Sequence, residues 1–406
     1  MRLHPHVQEL ADWISSDPQR SADFHQAIES AASFELLELR QIRTLRAYLE
    51  FLSSILTWVP SESVDGTAIF KSFSPVYFVL DQPSAIKYQT RIYPGASSES
   101  PSWLSNWIVK FGRTVGQFHD TPASISDSTL ATFKACPQYR IDDYIIPDGG
   151  YKSFNEFFAR KLKPGRRPIA SADDENVLVS PADWAYIESF PITMDANITV
   201  KTVDWSIREL LSDSKYSELF SGGTAIHGYL NTFDYHRVHA PLGGKVLEAN
   251  LVSGLHYTQI EAIECAEEPK ARSEEDGNYL AAFQQADPSG QLTSNSNNGT
   301  VQRTLRKRRV LAPPNEWGYQ FNQSRAVVII ETKMGLVAVV PVGMAVVSSV
   351  VLSVNEGQVI GKGDELGYFQ FGGSDAIVLC QKGVSVDVAI GEHCLMGSRF
   401  GRFSST

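Results

Sequence analysis

At 406 residues the chain is long enough for two or three domains, and 43% hydrophobic with 20% charged residues excludes a disordered protein. A formal net charge of −10 argues against nucleic acid, or an anionic membrane surface, as the principal partner. Cys136, Cys265, Cys380 and Cys394 lie far apart with no C-x-x-C, which fits neither a zinc site nor a disulfide framework and points to a reduced, cytoplasmic setting.

The opening "MRLHPHVQELADWISSD" is polar throughout and lacks the apolar run of a signal peptide. Val7, Leu10, Ala11 and Ile14 share one helical face, and Asp17-Pro18 reads as a cap followed by proline at the first helical position. The spacing of Leu36, Leu39, Ile42, Leu45, Leu49 and Leu52 predicts a longer helix over Leu36 to Leu56. Further helices are expected over Ser102 to Phe118 and Ser128 to Ala135, which makes residues 1–140 a helical N-terminal domain. From about Val177, short β-branched runs punctuated by Gly and Pro predict a mainly β domain over 141–406, with a short helix at Ser206 to Leu211. A polar insertion spans about 264–317 and contains "SNSNNGT" and "RTLRKRR". The uncharged stretch Gly335 to Val354, "GLVAVVPVGMAVVSSVVLSV", is rich in valine and broken by Pro341 and Gly343, so it reads as two buried strands joined by a turn and not as a membrane helix.

Near the C-terminus, "YFQFGGSDAIVL" predicts a strand from Tyr368 to Phe371 and another from Ala376 to Leu379, separated by four poor strand formers, Gly372, Gly373, Ser374 and Asp375. Taken alone this is ordinary turn chemistry. Three other stretches stand beside it. "FDYHRVHAPLGG" places His236 and His239 three residues apart; in an extended segment the two imidazoles point to opposite faces, in a tight turn they converge. "LVSPADWAYI" places Asp183 just past a strand end, and "FNEFFARKLKPGRRPI" combines Phe157 and Phe158 with a cluster of Lys161, Lys163, Arg166 and Arg167.

The order "FFARKLKPGRRPI", "SPAD", "YHRVHAP", "VGMAVVSSV", "GKGDELGYFQFGGS" resembles the pyruvoyl-dependent phosphatidylserine decarboxylase family over roughly residues 145 to 380. The helical N-terminal third resembles the extension of soluble members that act on free amino acids, an L-tryptophan decarboxylase-like branch. The resemblance implies an α+β fold, a helical N-terminal domain followed by a mainly antiparallel β core with a barrel-sandwich-like C-terminal part. It implies self-cleavage between Gly373 and Ser374, with Asp183, His239 and Ser374 as the processing triad and His236 as a second histidine near the substrate. In that scheme His239 takes the Ser374 proton as in a serine hydrolase, and the Ser374 oxygen attacks the Gly373 carbonyl. Ser374 ends as a pyruvoyl group, which serves as the cofactor for decarboxylation of a free, aromatic, tryptophan-like L-amino acid. The implied partners are that small molecule and the association of the chain's own large and small pieces, without nucleic acid or stable membrane insertion. Phosphatidylserine itself is the alternative substrate.

Two positions depart from the family pattern. Asp375 stands where Ser or Thr usually follows the cleavage serine, and Trp184 stands where Gly usually follows Ser-Pro-x-Asp. Both are candidate substrate-binding residues: Asp375 would set a negative charge beside the ketone, opposing carbanion formation or orienting a cationic amine, and Trp184 offers either an aromatic wall for the substrate or plain core packing. Of a different class are an uncleaved, non-catalytic relative and a biotinyl or lipoyl carrier built on "VNEGQVIGKGDELGYF" with Lys333 of "ETKMG" as its lysine. The carrier reading requires Lys333 at a tight exposed turn between two half-sheets.

Overall fold

The computed structural model describes residues 2–200, 202–256, 259–266, 307–312, 318–344, 349–371 and 373–403. The N-terminal third is helical, as its periodicity predicts. Pro5–Ser15 and Pro18–Ala32 form the first two helices, the second capped by the Asp17 side chain, which accepts from the Arg20 amide. The single helix expected over Leu36 to Leu56 is instead two pieces, a 3-10 turn at Leu37–Leu39 and a helix at Leu45–Ile55. The stripe continues because both pieces face one core, but Thr44 restarts the helix by accepting a hydrogen bond from the Ala47 amide. A helix at Ala68–Leu80 was not anticipated: it holds Pro75 internally and is buried on nearly every side, so it shows no amphipathic period. Trp103–His119 and Asp127–Ala135 follow within a residue of expectation, capped by Ser102 and Ser126.

Eight strands form one sheet in which every neighbouring pair is antiparallel. Across it the order is Val359–Ile360, Gly244–Val252, Arg325–Thr332, Gly335–Met344, Gly373–Cys380, Thr224–Leu230, Trp184–Pro191 and His393–Cys394. Two short strands end the sheet, so among the described residues there is no closed barrel, and the barrel-sandwich expectation gives way to an open sheet. The valine-rich stretch forms the strands Gly335–Met344 and Val350–Leu352, with residues 345–348 outside the described set. No described helix is long and apolar enough to cross a membrane. Most of the insertion over 264–317 lies outside the described residues; its ends, Glu261–Ala266 and Lys307–Ala312, pair as an antiparallel ribbon.

Lys333 does sit at a tight turn between Thr332 and Gly335, with its side chain 79% exposed and 3.1 Å from Glu175. The strands it joins are interior members of the eight-stranded sheet, not two half-sheets, so the carrier geometry is absent.

Of the interruption predicted at Gly372 to Asp375, Gly372 lies outside the described residues and the other three residues are strand. Gly373, Ser374 and Asp375 open the strand Gly373–Cys380, registered against Met344, Gly343 and Val342 on one side, and Ser374 and Asp375 are registered with Leu230 and Tyr229 on the other. Pairing on both edges outweighs the poor intrinsic propensity of these residues. Side chains alternate across the strand. Ala376, Val378 and Cys380 join a core that extends from Leu3, just before the first helix, to Phe403, while Ile377 and Leu379 join a second core with Trp205, Ile207 and Phe321. The helical part and one face of the sheet thus share their interior.

Trp184 belongs to that shared core. It is fully buried, its ring 5.5 Å from Phe400 and laid over Gly228, where an added Cβ would come within 2.2 Å of the indole. The tryptophan that replaces the family's glycine is accommodated by a glycine on the neighbouring strand. Gly228→Ala should therefore overpack a rigid ring and cost about 1–3 kcal/mol; a denaturant midpoint unchanged from the parent would contradict this packing.

Candidate active site

Ser374 is fully buried at the start of the central strand, and its Oγ lies 3.1 Å from Nδ1 of His236. His236 is itself completely buried and stacks on Phe158 with ring centroids 3.9 Å apart. Phe158 ends the short helix Phe154–Phe158 of the "FFAR" motif, whose Ser153 cap accepts from the Glu156 amide. Burial, followed by the nearby Arg160 charge, pushes the His236 imidazole down to about 3, with the carbonyls of Thr232 and Asn231 opposing the shift. The ring is neutral at physiological pH.

The open question about the two histidines is answered by the backbone. Arg237–His239 is extended, paired with Glu365–Phe369, and the His236 carbonyl accepts from the Phe369 amide at 2.9 Å. Residues three apart on an extended strand face opposite ways, so His239 turns from Ser374. Its Nδ1 donates to the Gly363 carbonyl at 2.8 Å, which leaves Nε2 to accept from the Tyr235 hydroxyl at 3.0 Å. Burial lowers the His239 pKa, opposed by the hydrogen bond to the Gly363 carbonyl and by the Glu365 and Asp183 charges.

Asp183, 3% exposed, accepts from Arg167 through Nε at 2.9 Å and Nη2 at 2.6 Å, and from the Met396 amide at 2.8 Å. The hydrogen-bonded order Asp183–His239–Ser374 implied by the resemblance is therefore not formed: neither Asp183 nor Ser374 bonds His239. The "SPAD" loop is nonetheless tied to His239, whose amide donates to the Pro181 carbonyl at 2.8 Å.

The other expected site residues divide. Asp375 follows Ser374 and so points to the opposite face of the sheet, where it is fully buried among the Tyr319 hydroxyl, which donates to it, Gln320 Nε2 at 3.3 Å and His227 Nε2 at 3.1 Å. It does not line the Ser374 face, and Trp184 is core. The basic cluster also separates: Lys161, Lys163 and Arg166 are exposed, whereas Arg167 is buried on Asp183.

Sequence reasoning missed three buried partners of the histidines. Tyr235 precedes His236 and its hydroxyl meets Nε2 of His239. Arg160 is 1% exposed, donates to the Phe233 and Asp234 carbonyls at 2.7 and 2.9 Å, and lies 4.2 Å over the Tyr144 ring. Arg237 donates to the Ala159 carbonyl and to both oxygens of Glu365. The signal for these lay in the motifs "FFAR" and "DYHRVH", where the cations flank the histidines and phenylalanines.

Residues 154–402 match the family model described as phosphatidylserine decarboxylase. The phosphatidylserine decarboxylase proenzyme 3 of Schizosaccharomyces pombe is 31% identical over 270 residues, which cover 66% of this chain and 23% of that protein. Decarboxylase iboD of Amanita muscaria is 28% identical over 293 residues, 68% of this chain and 75% of the relative. The phosphatidylserine decarboxylase proenzyme of Clostridium perfringens strain SM101 is 27% identical over 323 residues, 78% and 91% respectively. Against the long yeast proteins, the chain spans only about a quarter of the relative's length.

The segment after Ser374 is joined to the histidine loop by an ion pair. His393 Nε2 lies 2.8 Å from Asp234 Oδ1, and Asp234 Oδ2 accepts from the Asn231 amide. Burial opposes charging His393, but the Asp234 carboxylate outweighs it and raises the pKa above the ordinary 6.5. The stabilisation is complete below the unfolded value and fades as pH rises through the raised folded value. As pH rises from 6 to 8 the parent should lose stability that His393→Gln does not lose. Parallel stability curves for the two proteins would refute it.

Proposed function

The chain belongs to the phosphatidylserine decarboxylase family, whose members are pyruvoyl-dependent carboxy-lyases, and from that premise we propose that it cleaves itself between Gly373 and Ser374 and then decarboxylates an amino-acid headgroup. The observation that carries this reading is a buried serine hydroxyl 3.1 Å from a neutral imidazole, at the first turnless residues of a strand held on both edges.

Cleavage uses only the chain's own atoms. As its proton leaves, Ser374 Oγ bonds to the Gly373 carbonyl carbon and the Gly373–Ser374 amide breaks to give an ester and a free amine. Loss of the Ser374 α-proton then breaks the Cβ–Oγ bond, releasing residue 373 as a carboxylate and leaving dehydroalanine. Water replaces the nitrogen of its imine tautomer as ammonia, and the ketone remains. Gly373 presents no side chain to the attacking oxygen.

The two imidazoles differ in what they can contribute. His236 touches Ser374 and is held neutral by burial, with the Arg160 charge nearby. His239 has the acidic neighbours Glu365 and Asp183 and a tautomer that leaves Nε2 as the acceptor. We assign His239 to the processing proton, which requires its ring or Ser374 to move, and His236 to holding Oγ and later returning a proton to the substrate carbon. The surroundings of Ser374 fit a pyruvoyl group: the pocket is desolvated, and with Oγ gone the Nδ1 of His236 is left facing the reacting position. When present, that group withdraws the electron pair left by departing CO₂.

For the substrate, the names of the relatives support phosphatidylserine over the free tryptophan-like amino acid that the N-terminal resemblance implied. A free amino acid is the second reading. It is favoured by the relative named decarboxylase iboD, with no phospholipid in its name, and by the helical part, whose Trp58, Phe73 and His119 pack against Phe371 just upstream of the bond.

On a denaturing gel the parent should run as a large chain plus a fragment of the 33 residues from Ser374 onward, and Ser374→Ala as one band. A single band from an active parent would overturn self-cleavage. His239→Ala should slow cleavage by about 100-fold or more, while His236→Ala should still cleave and release CO₂ at least about 100-fold more slowly. Normal processing of His239→Ala, or parental turnover by cleaved His236→Ala, would reverse the assignment. Release of CO₂ from phosphatidylserine vesicles compared with the twenty free amino acids decides between the substrates.

A further inference from the structure

A cavity of about 340 Å³ opens between the helix Trp103–His119 and the sheet, within the size range of small-molecule sites. On the helix side it is lined by Arg113, Gly116, Gln117 and Asp120, spaced to lie on one face. The opposite face of that helix carries Leu104, Trp107, Ile108, Phe111 and Val115 into the shared core. This helix precedes residue 154, where the family match begins.

Some of the other walls are tied to the strand that carries the Gly373–Ser374 bond. Gln370 lines the cavity, and Asn155, which also lines it, accepts the Phe371 amide at 3.0 Å. Ser324 lines it as well, and its carbonyl accepts the amide of Gly343, the residue registered with Ser374. Gln370 lies four residues from Ser374, which limits the separation to about 13 Å at strand rise.

The polar groups in this space are unevenly satisfied. Asp120 accepts from Asn155 Nδ2 at 2.8 Å, and the Arg325 guanidinium is saturated by the Leu210, Gln323 and Glu209 carbonyls. Ser324 and Ser349 are bonded to Gly254 and Gln370. Arg113, by contrast, is exposed and makes no ion pair or hydrogen bond among the described residues. His256 is 5% exposed, and its buried Nδ1 has no hydrogen-bond partner among them. A buried polar atom left unpaired destabilises the fold, and a bound acceptor would relieve that cost. Burial, and after it the Arg113 charge, lowers His256 to about 4, so the ring is neutral and has one N–H to donate. A free guanidinium beside a neutral donor is matched to an anion's oxygens.

We infer that this cavity is a subsite for an anionic group carried by the substrate, a phosphodiester or a carboxylate, with Arg113 and His256 as its binding residues. It couples the N-terminal helices to specificity. The inference rests on the decarboxylase reading only for which molecule carries the anion.

The full-length Ser374→Ala chain, which does not turn over, is titrated calorimetrically with inorganic phosphate and with glycerophosphoserine. Binding should weaken at least tenfold in Arg113→Gln and in His256→Ala and recover in part in Arg113→Lys. Absence of phosphate binding, or equal affinity in Arg113→Gln, overturns the subsite. In the processed chain, Arg113→Gln should raise KM tenfold with kcat within twofold. A rise with phosphatidylserine vesicles identifies the anion as the phosphodiester, and one with free acidic amino acids as a carboxylate. Phosphate binding through Arg113 in a chain that decarboxylates neither class would leave the subsite standing and the proposed function overturned.

Discussion

The arrangement depends on one constraint: the strand that begins at Gly373 is interior to the sheet and hydrogen-bonded on both edges. Ser374 is registered with Gly343 and Leu230 at once, so its backbone has no freedom to slide, and the alternation of the strand sends its side chain to the face shared with the helices. A slip of one residue would exchange Ser374 and Asp375 between faces and put a carboxylate against His236. The valine-rich neighbour, Gly335–Met344, is the sequence's safeguard against that slip, because nearly all of its residues are buried.

Around this strand the buried cations serve architecture. Arg160 holds the Phe233 and Asp234 carbonyls just before His236, Arg237 between the two histidines holds the Ala159 carbonyl, and Arg167 holds Asp183. Arg167 and Asp183 are both desolvated, and removal of either leaves an uncompensated buried charge, a loss of about 3–5 kcal/mol. The motif "FFARKLKPGRRPI" therefore acts less as a basic surface than as a set of internal ties, with Phe158 supplying the plane on which His236 rests.

How far the sequence could be read follows from which interactions are local. The Asp17 cap and the helix start at Ser102 depend on neighbours within three residues and were placed within a residue of the structure. The strand opening at Gly373 was missed because its support comes from Leu230 and Gly343, distant in sequence, against local propensity. The proximity of His236 to Ser374 could not be chosen over that of His239 until the Arg237–His239 segment was known to be extended. Asp375 and Trp184 were read as substrate contacts from departures in a motif; the face of one and the packing of the other on Gly228 are tertiary facts. The helix Ala68–Leu80 escaped for the opposite reason, being too uniformly apolar to show a period.

The segment from Ser374 onward is woven through the molecule. It supplies the central strand, the edge strand His393–Cys394 beside Trp184, and Arg399–Phe403 between Val177–Val179 and Val384–Val386. Once the bond is cut, refolding would require a bimolecular encounter in which a short peptide finds the interior of a sheet that lacks its middle. The folded state of the cut molecule then owes its persistence to the slowness of unfolding and not to a reversible balance. Its lifetime is a rate, its recovery after denaturation depends on concentration, and heat or denaturant should erase in one passage what the intact chain could rebuild.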